Sequence, residues 1–231
     1  MTHIPDAPAD TRMMGIVHAA FHRDLARLRV MLTAAPAPGG GRRKALAGQV
    51  LWLMEMLHRH HQGEDDGLWP LVRERDPAAD GLLDEMVAEH HAIVPAMGAL
   101  TGAARRYGSA GGDSSRVELV QALDSLTAVL VPHMDREVAE AMPVVARALT
   151  AADWDAWNQK YNVKPKSLRQ LGLEGHWLLD ETGPADHRFV THQVPAVPRF
   201  IMLRGFARPY RRRTAAWWDP DAAPGMNAGD R

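Results

Sequence analysis

Residues 53–70 read LMEMLHRHHQGEDDGLWP, and residues 126–143 read LTAVLVPHMDREVAEAMP. The two stretches align at a shift of 73: Leu53 falls on Leu126, Leu57 on Leu130, His60 on His133, Glu64 on Glu137 and Pro70 on Pro143. Both carry H-x-x-x-E-x-x-x-x-x-P on an apolar stripe of helical spacing. The segments before them repeat too, at a shift of 72. Met14 falls on Met86, His18 on His90, Phe21 on Ile93, Leu25 on Met97 and Leu28 on Leu100. The polar residues align as well as the apolar ones, which makes an internal duplication of a helix pair the simplest reading.

Working outward, the stripes define four helices. Met14, Val17, Phe21, Leu25, Leu28 and Leu32 form the first; Val50, Leu53, Leu57, Leu68 and Leu71 the second. Met86, Ile93, Met97 and Leu100 form the third; Leu119, Leu123, Leu126, Leu130, Ala141 and Val144 the fourth. PAPGGG at 36–41, Asp76-Pro77 and GSAGGDSS at 108–115 separate them. Short connections favour antiparallel neighbours. The expected fold is all-α: an antiparallel up-and-down four-helix bundle with a short fifth helix, residues 1–161, and an irregular C-terminal tail, residues 162–231, packed on the bundle. Thr150 and Asp153 are spaced to cap the fifth helix, Ala151 to Tyr161. Beyond it Pro, Gly, Arg and Trp are frequent and no long stripe continues.

The repeat places polar residues on the apolar faces. At roughly 100° per residue, His60 and Glu64 point along the line of Leu53, Leu57 and Leu71, and His133 and Glu137 lie over Leu126 and Val144. His18 lies beside Phe21 and Leu25, and His90 beside Ile93 and Met97. A lone His on such a face is ordinarily hydrogen-bonded core. A buried Glu without a partner is costly, and a divalent cation pair removes that cost for two carboxylates at once. His18, His60, Glu64, His90, His133 and Glu137 are therefore the candidate metal ligands. Imidazole with carboxylate suits iron, manganese or zinc and not a soft-metal site.

These residues resemble the hemerythrin-like, or HHE cation-binding, domain, which has a His on helices 1 and 3 and H-x-x-x-E on helices 2 and 4. The resemblance covers roughly residues 12 to 150, with Trp69-Pro70 closing helix 2. It implies two iron ions, a non-haem diiron centre, bridged by Glu64 and Glu137. Two departures stand out. Oxygen carriers of this kind have a second His on helix 3, where this chain has Val94, and an Asp where it has Val138. With one His fewer, the resemblance implies a more open site that reacts with O2 or peroxide, oxidising a small-molecule substrate or decomposing peroxide. The alternative is a protein that binds or senses O2, NO or iron without turnover.

Other histidines rank lower. His22 rivals His18, but the repeat register selects His18. His58, His61 and His91 are expected to flank the site; His61 is read as facing away from the Leu53–Leu57 line. Glu89, Asp65, Asp135 and Glu140 are candidates to orient ligand imidazoles. His176, His187 and His192 are expected at the surface. Arg199, Arg204, Arg208, Arg211, Arg212 and Arg213 run without an acid among Phe200, Phe206 and Tyr210; they are expected to pack by their aromatics rather than to meet an anionic partner. The chain has no Cys, which rules out disulfides, thiolate sites and iron–sulfur clusters. Its formal net charge of −1 gives no field for nucleic acid or membrane. No segment has a signal pattern or a membrane-spanning length, and a cytoplasmic location is expected.

Overall fold

A computed structural model describes residues 5–222; residues 1–4 and 223–231 of the two expected segments lie outside the described residues. Helices dominate, and no strand occurs among the described residues. The helices are α1 (Arg12–Thr33), α2 (Gly40–Gly63), α3 (Trp69–Arg75), α4 (Asp80–Ser109), α5 (Asp113–Arg136), α6 (Met142–Ala148) and α7 (Ala151–Asn158). α8 (Leu168–Leu179), α9 (Pro184–His192), α10 (Ala196–Gly205) and α11 (Ala207–Ala215) follow. The breaks fall at the glycine- and proline-rich stretches. Gly111 and Gly112 take φ of +70° and +91° at the α4–α5 turn, a conformation strained for other residues.

α1, α2, α4 and α5 pack on one another. The seam between them is the apolar repeat: Phe21, Leu25, Leu28, Leu53, Leu57, Ile93, Leu100, Leu126 and Leu130 are buried in one cluster. A second cluster, with Leu68, Trp69, Met86, Met142, Trp154 and Trp157, lies where α3, α6 and α7 gather.

The second and fourth stripes are not single α-helices. π turns at Glu64–Leu68 and Glu137–Ala141 join α2 to α3 and α5 to α6. In each turn the fifth residue after the Glu closes the wider ring: Trp69 N–H donates to the Glu64 carbonyl, and Met142 N–H to the Glu137 carbonyl. The next residue is proline in both, Pro70 and Pro143. Proline has no N–H for the carbonyl four residues back, and its ring presses on that carbonyl. The wider turn accommodates it. The repeated proline is therefore the sequence mark of the π turns.

α7 begins with the expected capping box: the Thr150 side chain accepts from Asp153 N–H, and Asp153 accepts from Thr150 N–H. The tail departs from expectation, since it is helical. Ser167 and Gln170 form a second capping box on α8, and Pro184 starts α9. Pro184, Pro198 and Pro209 fall in the first turns of α9, α10 and α11, and Gly205 ends α10, so these segments are too brief to show a long stripe. α8 packs on α1 through buried polar contacts. Trp177 donates its indole N–H to Asp24 Oδ2 at 3.1 Å, and Arg27 reaches Asp180 at 2.6 Å. Arg213, from the arginine run, bonds Gln49 at 3.1 Å. Trp217 and Trp218 are buried, but Phe200 is 59% exposed, against the expectation that it packs inward.

Candidate metal centre

The repeat brings its six polar residues together. His18 enters from α1, His60 from α2, His90 from α4 and His133 from α5, while Glu64 and Glu137 each open a π turn. The carboxylates are fully buried, at 0% exposure, and His60, at 11%, is the ligand candidate nearest the surface. Glu64 lies between His60 and His90: Oε1 is 3.2 Å from His60 Nε2, and Oε2 is 3.6 Å from His90 Nε2. Glu137 lies between His18 and His133, with Oε2 3.4 Å from one Nε2 and 3.8 Å from the other. Each carboxylate thus faces an imidazole from both halves of the repeat.

The ring nitrogens are arranged so that Nε2 points inward. His90 Nδ1 is 2.7 Å from Asp65 Oδ1, and His133 Nδ1 is 2.8 Å from Glu89 Oε2. His18 Nδ1 is 3.2 Å from the Met134 carbonyl, which can only accept. With the proton on Nδ1, each Nε2 carries a lone pair toward the centre, the arrangement of a metal-ligating histidine with an outer hydrogen-bond partner. Arg136 holds Glu89 at 2.6 Å and also bonds Glu85 and Glu140, which fixes the His133 partner from outside. Of the residues expected to orient imidazoles, Asp65 and Glu89 do so. Glu140 bonds Arg136, and Asp135 lies 3.7 Å from His22. His22 itself lies outside the cluster, and His58 and His91 are exposed.

His61 is a correction. It was expected to face away, yet it is buried in the centre, stacked on His90 with ring centroids 4.1 Å apart and edge-on to His133 at 5.4 Å. Two groups of ligand atoms result, each with its atoms within 4.8 Å of one another: His18, His60 and Glu137 in one, and His61, His90 and His133 in the other. Sequence reasoning took a narrow stripe as the buried face. α2 packs against both α1 and α4, so its buried arc is wider than one seam. The signal was present, because His61 follows Leu53 and Leu57 at spacings of four.

The electrostatics fit a cation. Burial pushes Glu64 far above the ordinary carboxyl range, with Glu137 and Asp65 adding to it. Burial, then Glu89 and Asp65, raises Glu137 to about 8. Burial and the nearby His133 lower His18 to about 3, and burial holds His60, His61 and His133 below the usual histidine range. Among the described residues, both oxygens of Glu64 and Glu137, Nε2 of His90 and His133 and both nitrogens of His61 have no hydrogen-bond partner. Such a concentration of unpaired buried polar atoms is costly in a protein core. Neutral imidazoles and carboxyls that must lose a proton are the donor set a hard-to-borderline divalent cation takes.

A family model described as the hemerythrin HHE cation binding domain matches residues 10–145. No curated protein and no solved structure matches the chain. The family match covers α1 through most of α6 and leaves α7 to α11 outside it.

Proposed function

The chain belongs to the hemerythrin HHE cation-binding domain family, and from that premise we propose that it is a non-haem diiron protein that reacts with O2 or peroxide. The observation that carries the two-ion reading is the position of the carboxylates: Glu64 and Glu137 each face imidazoles from both ligand groups. His18 and His60 would hold one ion and His90 and His133 the other, with the carboxylates of Glu64 and Glu137 available to both. Antiparallel packing of α1, α2, α4 and α5 as an up-and-down bundle accounts for ligands arriving from four helices at one level.

Iron bound there would supply the electrons that reduce O2 or peroxide. The chain's part is to hold Nε2 lone pairs inward through Asp65, Glu89 and the Met134 carbonyl, and to exclude bulk water. Two observations favour the His18 and His60 half as the more open one: that group has two imidazoles, and it includes the partly exposed His60. Burial of the other candidate ligands favours a ligand of two heavy atoms, such as O2, NO or peroxide, over a large organic substrate. It also gives weight to a second reading, uptake of O2, NO or iron without turnover.

Stopped-flow mixing of anaerobic ferrous protein with O2, then degassing, separates the readings. Loss of the ferrous spectrum that degassing does not restore, with peroxide consumed in a separate assay, supports turnover. Full return of the ferrous spectrum and no peroxide consumption support binding alone.

A further inference from the structure

We infer that His61 is a metal ligand, the third imidazole of the group formed with His90 and His133, and that it takes the part Val94 does not play. This deepens the diiron reading and rests on it. The ligand atoms of His61, His90 and His133 lie within 4.8 Å of one another. Val94, one turn beyond His90, is 54% exposed and points away from the centre, so its position on α4 does not supply a donor.

The alternative is an ordinary core histidine. Such a residue uses at least one ring nitrogen in a hydrogen bond, since an unsatisfied buried polar atom costs on the order of 1–3 kcal/mol. His61 is 5% exposed, and neither Nδ1 nor Nε2 has a partner among the described residues. Its neighbours are ligand candidates: His90 stacked at 4.1 Å, His133 at 5.4 Å and His60 at 5.8 Å. A ring held among imidazoles with both nitrogens bare is explained by a bond to a cation that the neighbours also bind.

Adjacent histidines then serve different ions. His60 faces Glu64 and His18 on the α1 side, while His61 faces His90 on the α4 side. One turn of α2 thereby contributes to both halves, with Glu64 three residues after His61 and four after His60. The ligand set becomes five imidazoles and two carboxylates, three imidazoles on one ion and two on the other.

The test uses the full chain loaded with ferrous iron under anaerobic conditions. Iron content, chelator competition and Mössbauer spectra are compared for the parent, His61→Ala, His61→Gln and Val94→His. Circular dichroism reports folding, and the glutamine variant keeps most of the side-chain volume should the alanine variant fold poorly. The parent is expected to hold two irons. Both His61 variants should bind one iron about 10–100-fold more weakly or worse, by comparison with the effect of losing an outer partner of a ligand. They should alter one Mössbauer doublet and keep the other; Val94→His should change neither. A parent with two irons and His61 variants with both affinities and both doublets unchanged would overturn the role of His61 and leave the diiron reading standing. A parent that never holds two irons would overturn both.

Discussion

The Tyr161 hydroxyl donates to the Asp66 carbonyl at 2.9 Å, the carbonyl that Pro70, four residues on, has no N–H to satisfy. Trp157 adds an indole bond to the Gly63 carbonyl at 2.8 Å. α7 and the π turn that follows it, Gln159–Val163, thus brace the turn that carries Glu64. Gly67 makes the fit possible, since a Cβ there would stand 2.2 Å from Tyr161 Cε2. Tyr161→Phe is expected to cost about 0.5–1.5 kcal/mol in urea unfolding. Gly67→Ala should cost more, and most of that extra cost should vanish in a Tyr161→Ala background. An equal cost of Gly67→Ala in both backgrounds would remove the contact from the account.

The tail helices bear on the site through one aromatic chain. Trp177 packs edge-on against Phe21 with centroids 5.0 Å apart, and Phe21 lies 6.1 Å from His60. Trp177→Ala should destabilise the protein by about 3–5 kcal/mol, the range for truncating a buried large aromatic. It also removes one donor to Asp24, whose carboxyl burial already raises. Thermal and urea unfolding measure the loss; a cost under about 1 kcal/mol would mean that α8 does not seal this face.

How much was legible follows from which features leave a periodic trace. His60, Glu64, His133 and Glu137 were visible because charge on an apolar stripe is improbable without a partner, and because the stripe is repeated. His61 was misread because a helix with neighbours on two sides buries an arc, not a line. The π turns were hidden because hydrogen-bond register belongs to the backbone; Pro70 and Pro143 were their trace. α8 to α11 were missed because helices of two or three turns, such as Pro184–His192, carry too few apolar positions to define a face. That Asp65 and Glu89, and not Asp135 or Glu140, meet the imidazoles depends on side-chain reach across helices, which spacing along one helix does not encode.

Stability of chelator-treated protein should fall as pH rises from about 6.5 to about 8. Glu137 is raised from 4.5 to about 8, so it stabilises the fold fully below 4.5 and loses that contribution as pH climbs to about 8. His18, lowered from 6.5 to about 3, acts in the opposite sense, but its stability is already fully present above 6.5. Only the carboxyl slope remains in the upper window, at most about 1.4 kcal/mol per pH unit for each proton. Iron-loaded protein should lack this slope, because the bound cations already hold the carboxylates deprotonated. Denaturant titrations at three pH values with and without iron measure it; a flat profile for the chelated protein contradicts the assignment.

Crystals of iron-loaded protein measured at the iron absorption edge test the central claim most directly. Two anomalous peaks per chain are expected, one beside His18 and His60 and one beside His61, His90 and His133, with Glu64 and Glu137 between them. A single peak, or none after full iron loading, would contradict the diiron centre.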